Sequence, residues 1–274
     1  MPKVSIILPC HNGAKYLPRA IASVQAQTFT DWEFIVIDDG SSDGTAGLVA
    51  ETSQKDARVK LLRNEKNLGI QKSLNRGLVA GRGEYVARID DDDEWADKDK
   101  LKKQVEFLDS NPEHGIVGTG IIEADENGAE IFRYRQPLRD EDVRRKILKQ
   151  NCFTHSSVMF RRGAVIELGG YPETEETKHV EDYDLWLRLG EKWKFANLPD
   201  YATKFTLRPG NISSSNKIDQ FQKDIRLSRK YLGLYRGGVW VVARGYLRLL
   251  AYRLVSLLPK SAMRLALRIY KSVE

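Results

Sequence analysis

Five consecutive acids follow a short apolar run at Ile89-Asp90-Asp91-Asp92-Asp93-Glu94. Like charges crowded into one loop repel, so folding them together is costly unless a cation or hydrogen-bond donors offset the repulsion. Hard cations such as Mg²⁺ and Mn²⁺ take carboxylate oxygens and complete their shell with substrate phosphates. Alternate carboxylates, Asp90 and Asp92, can converge on one ion while Asp91 points away. The same acids also suit a solvated turn, or a cap for a helix beginning near Lys98. A second cluster is Asp38-Asp39-Gly40-Ser41-Ser42-Asp43-Gly44-Thr45. A carboxylate there can accept from a base N–H or a ribose hydroxyl, as acids do in dinucleotide-binding folds. Ser42 or Asp43 can equally cap the helix that follows. A third, Val180-Glu181-Asp182-Tyr183-Asp184, reads by itself as an acidic first turn favoured by the helix dipole.

The elements that must position these clusters alternate through the first half. Apolar runs at 4–8, 34–37, 59–62 and 85–89 read as strands, and helical spacing appears at 14–27, from Ser42 or Asp43 to Ala50, and at 70–80. Such alternation predicts an α/β fold with a parallel sheet and helices on both faces, its ligands beyond the carboxyl ends of the strands. The loops after Leu8, Ile37 and Ile89 are therefore where chemistry is expected. The second half predicts a helix over 98–108 and strands over 115–122 and 129–133 paired across Glu126-Asn127-Gly128. A helix over 140–149, a strand over 157–160 and a short helix over 182–189 follow.

Taken in order, these segments resemble the family 2 glycosyltransferases, which have the GT-A fold. The resemblance runs from Val4 to about Ser213. Its first pieces are Ser5-Ile6-Ile7-Leu8-Pro9-Cys10-His11-Asn12 with Tyr16-Leu17, Ser23-Val24-Gln25-Ala26-Gln27-Thr28, and the Asp38–Thr45 cluster. Asn67-Leu68-Gly69, Gly83-Glu84-Tyr85-Val86-Ala87-Arg88, Asp90-Asp91-Asp92-Asp93 and Glu181-Asp182-Tyr183-Asp184-Leu185-Trp186 complete it. It implies a Rossmann-like, mostly parallel sheet, a nucleotide-sugar donor, with a UDP-sugar expected, and Mg²⁺ or Mn²⁺ as cofactor. Pro9, His11 and Asn12 would line the uracil pocket, although His11 stands where the family more often has Tyr. Asp39 would hold the base or ribose. Asp90 and Asp92 match the DxD element, with Asp92 the direct metal ligand and Asp90 nearer the ribose, while Asp93 supports from behind. Asp182 would be the general base of an inverting transfer, with Glu181 beside it. Trp186 would either stack on an acceptor sugar or sit in the core. His155 would be a hydrogen-bonded structural residue or an acceptor contact. Arg208, in Arg208-Pro209-Gly210, occupies a segment where many relatives have His-Pro-Gly; it would offer donors to the diphosphate rather than ligate the metal.

The chain of 274 residues is 41% hydrophobic and 30% charged, enough for one large α/β domain with an appendage. Its net charge of +6 is unevenly placed. Residues 235–274 hold eight Lys/Arg against one acid, leaving 36 basic and 37 acidic residues in 1–234. That balance argues against a nucleic-acid partner and for a tail with its own task. Two cysteines are too few for a disulfide framework, and Met1-Pro2-Lys3 leads straight into the first apolar run, so a cytoplasmic protein is expected.

The organisation expected is a catalytic domain over 1–234 and a basic amphipathic helical tail over 235–274. Residues 239–258 are strongly apolar, yet Arg244, Arg248 and Arg253 would each cost roughly 2.5–3.5 kcal/mol at a bilayer centre. Trp240, Tyr246 and Tyr252 among these arginines suit the membrane–water interface better. Over 261–273, Lys260, Arg264, Arg268 and Lys271 gather on one helical face, opposite Leu265, Ala266, Ile269 and Tyr270. The tail then binds an anionic membrane surface, making the protein peripheral on the inner face of the cell membrane; otherwise it packs on the domain or on a second subunit. The expected function is transfer of a sugar to a glycan or lipid-linked acceptor in cell-envelope polysaccharide synthesis. A nucleotide-sugar-forming nucleotidyltransferase is the second enzyme reading, disfavoured because Pro9-Cys10-His11-Asn12-Gly13 replaces a Gly-rich phosphate loop. A catalytically silent membrane-associated binding module is the third.

Overall fold

The computed structural model describes residues 1–208 and 217–256. Strands β1 (Val4–Cys10), β2 (Trp32–Asp38), β3 (Val59–Arg63) and β4 (Tyr85–Arg88) run parallel in the order β3-β2-β1-β4. Every residue of β1 and β2 is buried, as strands covered on both faces require. Val4, Ile6 and Leu8 pack with Leu17, Ile21 and Val24 of α1 (Leu17–Gln25). Ile7 points the other way, where the core also holds Leu74 and Leu78 of the helix over Ile70–Ala80. That helix is α3, because α2 (Thr45–Lys55) intervenes between β2 and β3. The side-chain period of two along a strand thus divides one apolar run between two cores.

The sheet continues beyond β4 through β5 (Glu94–Trp95), β6 (His114–Asp125), β7 (Glu130–Tyr134), β8 (Met159–Arg161) and β9 (Lys194–Leu207). Their order is β4-β8-β6-β9-β5, with β7 a hairpin on β6 across the expected turn, where Gly128 takes φ +86°. Helix α4 (Lys100–Ser110) follows β5, α5 (Asp140–Lys146) follows β7, and a 3-10 turn at His155–Ser157 precedes β8. α6 (Arg162–Glu167) and α7 (Glu181–Leu189) lie between β8 and β9.

The sequence reading misses the two-residue β5, the short α6 and two longer elements, β9 and α8. β9 carries no alternating pattern and contains Pro199, which the strand accommodates where its pairing with β6 shifts register between Gly118 and Gly120. α8 (Lys217–Lys230) is highly polar, yet Ile225, Leu227 and Ser228 are buried. Ser228 donates to the Leu148 carbonyl at 2.8 Å, and the Lys230 ammonium and Tyr231 hydroxyl both reach Asp184 Oδ1 of α7 at 3.0 Å. α9 (Gly238–Ser256) packs on α8 through the edge-on Phe221–Tyr252 ring pair and through Arg248 over Phe221. Among the described residues no helix is long and apolar enough to cross a membrane. The amphipathic segment expected over 261–273 lies outside the described residues.

Candidate active site

A cleft of about 800 Å³ opens at the carboxyl ends of β1, β2 and β4. Pro9, Cys10 and His11 enter it from β1, and Asp39 from just beyond β2. His11 Nδ1 lies 2.8 Å from the Asp39 carbonyl oxygen, so that nitrogen carries the proton, and Nε2 accepts from the Asn12 amide at 3.2 Å. Asn12 does not face the cleft: at φ +56°, its side-chain oxygen accepts from the Ser42 N–H and joins the two loops. Asp39 is buried and already engaged. Its Oδ1 accepts from Asn64 Nδ2 and the Leu68 N–H, and its Oδ2 from the Gly69 N–H. The carboxylate therefore shapes the Asn67–Gly69 wall of the cleft as well as facing it.

Asp90, Asp91 and Asp92 all line the same cleft, which the β4 strand end delivers to the β1 and β2 loops. Each of the alternate acids has a guanidinium partner. Arg88, almost wholly buried, donates to Asp90 Oδ1 at 2.5 Å and to the Ile89 carbonyl. Ser156 donates to Asp90 Oδ2 at 3.0 Å and accepts from the Asp90 N–H. Arg208, at the end of β9, donates from Nε to Asp92 Oδ2 at 2.6 Å and lies over the Tyr16 ring. Asp91 sits so close to Gly13 that a Cβ there would stand 2.3 Å from Asp91 Oδ2. Asp93 is fully buried: Oδ1 accepts from the Thr206 N–H, and Oδ2 has no hydrogen-bond partner among the described residues. Burial, then repulsion from Asp92 and Asp90, pushes the Asp91 carboxyl up to about 7 and raises Asp93 well above the usual range.

These residues fit a hard divalent cation. The donors are all oxygens, and the strained ionisation of the cluster is what a cation would relieve. Among the described residues no three His, Cys, Asp or Glu side chains close around one point. Mg²⁺ or Mn²⁺ is a cation that one or two carboxylates can hold, with water and substrate phosphates completing the shell.

Asp182, in the first turn of α7, lines the same cleft as the acids. Asn151 Nδ2 donates to its Oδ2 at 3.0 Å, and the Tyr183 N–H to its Oδ1 at 2.7 Å. Burial pushes its carboxyl up to about 6, against the pull of those two donors. Burial and the Asp182 charge push neighbouring Glu181 further, to about 8, while its Oε2 accepts from the His179 N–H. His155 also lines the cleft and shares a hydrogen bond with the Tyr171 hydroxyl at 2.9 Å; desolvation and nearby Arg88 hold it down at about 3, so it is neutral. Trp186 is not in the wall. It is fully buried, packed against Phe153, Phe160 and His155, and supports the site from the core.

Sequence reasoning did not single out Asn151, or Arg88 as the partner of Asp90. Arg88 has a readable signal, a lone arginine ending an apolar strand before the acids; Asn151 has none. It also missed a part of the lining to which Lys178 and His179 and, from α8, Gln220 and Asp224 contribute. Burial pushes the Asp224 carboxyl up to about 7, opposed by Arg248 of α9 and reinforced by Asp182. The α8 helix thus closes the end of the cleft nearest Asp182.

The model of the family described as Glycosyl transferase family 2 matches residues 5–169. The amylovoran biosynthesis glycosyltransferase AmsE of Erwinia amylovora is 30% identical over 264 residues, covering 93% of this chain and 97% of AmsE. S. aureus TarS in complex with UDP-GlcNAc superposes with a TM-score of 0.68 at 22% identity, over 91% of this chain and 72% of that one. The mannosyltransferase PcManGT of Pyrobaculum calidifontis, in complex with GDP-Man and Mn²⁺, gives 0.65 at 19% identity, over 99% and 80%. The chain belongs to the family 2 glycosyltransferases and has their GT-A fold.

Proposed function

We propose that this glycosyltransferase moves a sugar from a UDP-sugar to a hydroxyl of a glycan or lipid-linked acceptor, with inversion at the anomeric carbon. AmsE's part in amylovoran biosynthesis supports a polysaccharide product, and the nucleotide-sugar complexes of TarS and PcManGT support the donor class. One observation carries the mechanism: the Asp182 carboxylate, in the first turn of α7, lines the same cleft as the Asp90–Asp92 loop and burial pushes it up to about 6. A base that titrates just below neutral pH is ionised yet still basic enough to take a proton.

Asp182 removes the proton of the acceptor hydroxyl as that oxygen attacks the anomeric carbon. The bond from that carbon to the diphosphate oxygen breaks on the opposite face, so the configuration inverts. Glu181, at about 8, keeps its proton at neutral pH and does not compete as a base. Asn151 and the Tyr183 N–H orient the Asp182 carboxylate. Mg²⁺ or Mn²⁺ at Asp92 and Asp90 would supply charge neutralisation to the departing diphosphate. Arg208 adds guanidinium donors on the same side.

The residues over 1–234 form the catalytic domain in this reading. The tail over 235–274 holds the enzyme at the cytoplasmic face of the membrane, where a lipid-linked acceptor would be presented. A thermal-shift panel of UDP- and GDP-sugars, with and without Mn²⁺, tests donor and cofactor together. Asp92→Ala should lose the cation-dependent donor shift. Asp182→Asn should keep that shift and lose transfer; undiminished transfer by Asp182→Asn would end the proposal.

A further inference from the structure

α9 is apolar on two opposite faces. One, with Val241 and Leu249, is buried. The other is open: Trp240 is 80% exposed, Leu247 67%, Leu250 55% and Leu254 58%. At 100° per residue, Val239, Ala243, Ala251 and these four side chains span an arc of about 120°. Arg244 borders the arc on one side, and Tyr246 and Arg253 on the other. Beyond Tyr246 and Arg253 runs a second cavity, a groove of about 810 Å³ between α8 and α9. Arg226, Arg229, Lys230 and Arg253 line it, together with Gln222, Ile225, Tyr246 and Leu249, and among the described residues no acid does. Arg226 reaches only the exposed Glu176 at 3.8 Å, Lys230 is held by Asp184, and Arg229 has no ion pair among the described residues.

We infer that this groove seats the phosphate headgroups of an anionic lipid surface, with the α9 apolar arc lying in the acyl boundary beside it. The inference deepens the membrane-held reading above and rests on it. A cationic trough bordering an exposed apolar arc matches an amphiphile whose charge and chains are adjacent. The chain's own residues 257–274 do not match it. They carry Lys260, Arg264, Arg268 and Lys271 against one acid, Glu274, and would bring cations onto cations. In a two-fold contact along α9, a second copy could cover the arc but would bring the same basic groove to the seam, cations against cations.

Flotation with phosphatidylglycerol-containing and pure phosphatidylcholine vesicles tests this on the full chain. Each basic side chain at an anionic surface contributes about fivefold in partitioning, so Arg226→Gln/Arg229→Gln should bind anionic vesicles roughly 25-fold more weakly. Lys55→Gln/Lys102→Gln removes two exposed lysines from α2 and α4 and should change binding less than about twofold if the groove is specific. Leu247→Asn/Leu250→Asn should weaken binding to both vesicle types. Equal losses from the groove and control pairs would overturn the site. So would release from vesicles by millimolar glycerol phosphate, or a stripe variant that only dissociates a dimer. All variants should retain the UDP-sugar thermal shift, which separates this inference from the transferase reading. Wild-type protein that shifts with donor but ignores every vesicle would end the membrane reading and this site together.

Discussion

Asn151→Ala should move the acidic limb of the pH–rate profile without removing the base. The Asn151 amide hydrogen-bonds the ionised form of Asp182 at 3.0 Å, alongside the Tyr183 N–H. A hydrogen bond to a charged group contributes about 1.5–3 kcal/mol. One pKa unit is about 1.4 kcal/mol, so losing it raises the Asp182 pKa by roughly one to two units. The starting value is about 6. The sign follows from the role. A general base works when ionised, so activity is lost as pH falls through its pKa, and a raised pKa moves that loss upward. At pH 6.5 the ionised fraction should fall from roughly three quarters to between about a quarter and a thirtieth, whereas at pH 9 and above the two enzymes should converge. The assay is kcat/KM for acceptor from pH 5 to 9.5 at saturating donor, with donor binding followed at each pH. A uniform loss across the whole range would assign Asn151 a merely structural part. An unmoved limb would mean that the titrating base is not Asp182.

Gly13→Ala places a methyl where Asp91 Oδ2 now lies, at 2.3 Å, so the acidic loop must shift. A displacement of that kind should lower kcat/KM by about 10–100-fold with little change in Tm, measured by steady-state kinetics and thermal unfolding. Trp186→Ala should cost about 3–5 kcal/mol of stability in denaturant titration, because the ring fills the core. Trp186→Phe should leave the acceptor KM unchanged, and a tenfold rise would return the ring to the acceptor site. Lys100 is fully buried, with its ammonium on Gln104 and over the Trp95 ring, and desolvation holds its pKa well below 10.5. The unfolded chain therefore binds more protons than the folded one, and stability rises with pH from the folded pKa to 10.5, by up to about 1.4 kcal/mol per unit. Lys100→Met should flatten that slope in urea titrations at a series of pH values.

The first half of the fold was legible because each strand is a single apolar run, two of them punctuated by the Asp38–Gly40 turn and by the acids, although β1 runs on through Pro9 to Cys10. β9 was not, because its hydrogen bonds come from β6, 80 residues upstream, and Pro199 breaks the pattern that would announce it. α8 was not, because its burial depends on Asp184 and on the Leu148 carbonyl rather than on its own composition. The site divides in the same way. Asp39, Asp90 and Asp92 could be found because acids at strand ends stand out, Asp182 only through the family resemblance, and all four line one cleft. What each acid touches could not be found, since Asn151 comes to Asp182 and Arg208 to Asp92 only through the tertiary fold. The fold also separated two readings left open by spacing alone, placing Trp186 in the core while leaving His155 at the cleft.

The partners also decide which acid can be interrogated cleanly. Asp90 balances Arg88, a guanidinium almost wholly withdrawn from water whose Nε has no hydrogen-bond partner among the described residues. Removing Asp90 strands that charge, and breaking a buried pair from one side costs about 3–5 kcal/mol. A dead Asp90→Ala protein would therefore report unfolding as readily as lost chemistry. Asp92 is paired with Arg208, whose side chain is 28% exposed and can turn to water when its partner goes. The loop that sequence reads as one run of equivalent charges is thus asymmetric in the fold. Asp90 is tied into the core by Arg88 and Ser156, and Asp92 is free to exchange Arg208 for an incoming cation. Asp92→Ala should accordingly unfold within about 1 kcal/mol of the wild-type stability while losing cation-dependent donor binding. A stability loss as large as that of Asp90→Ala would show that the two acids share one structural role.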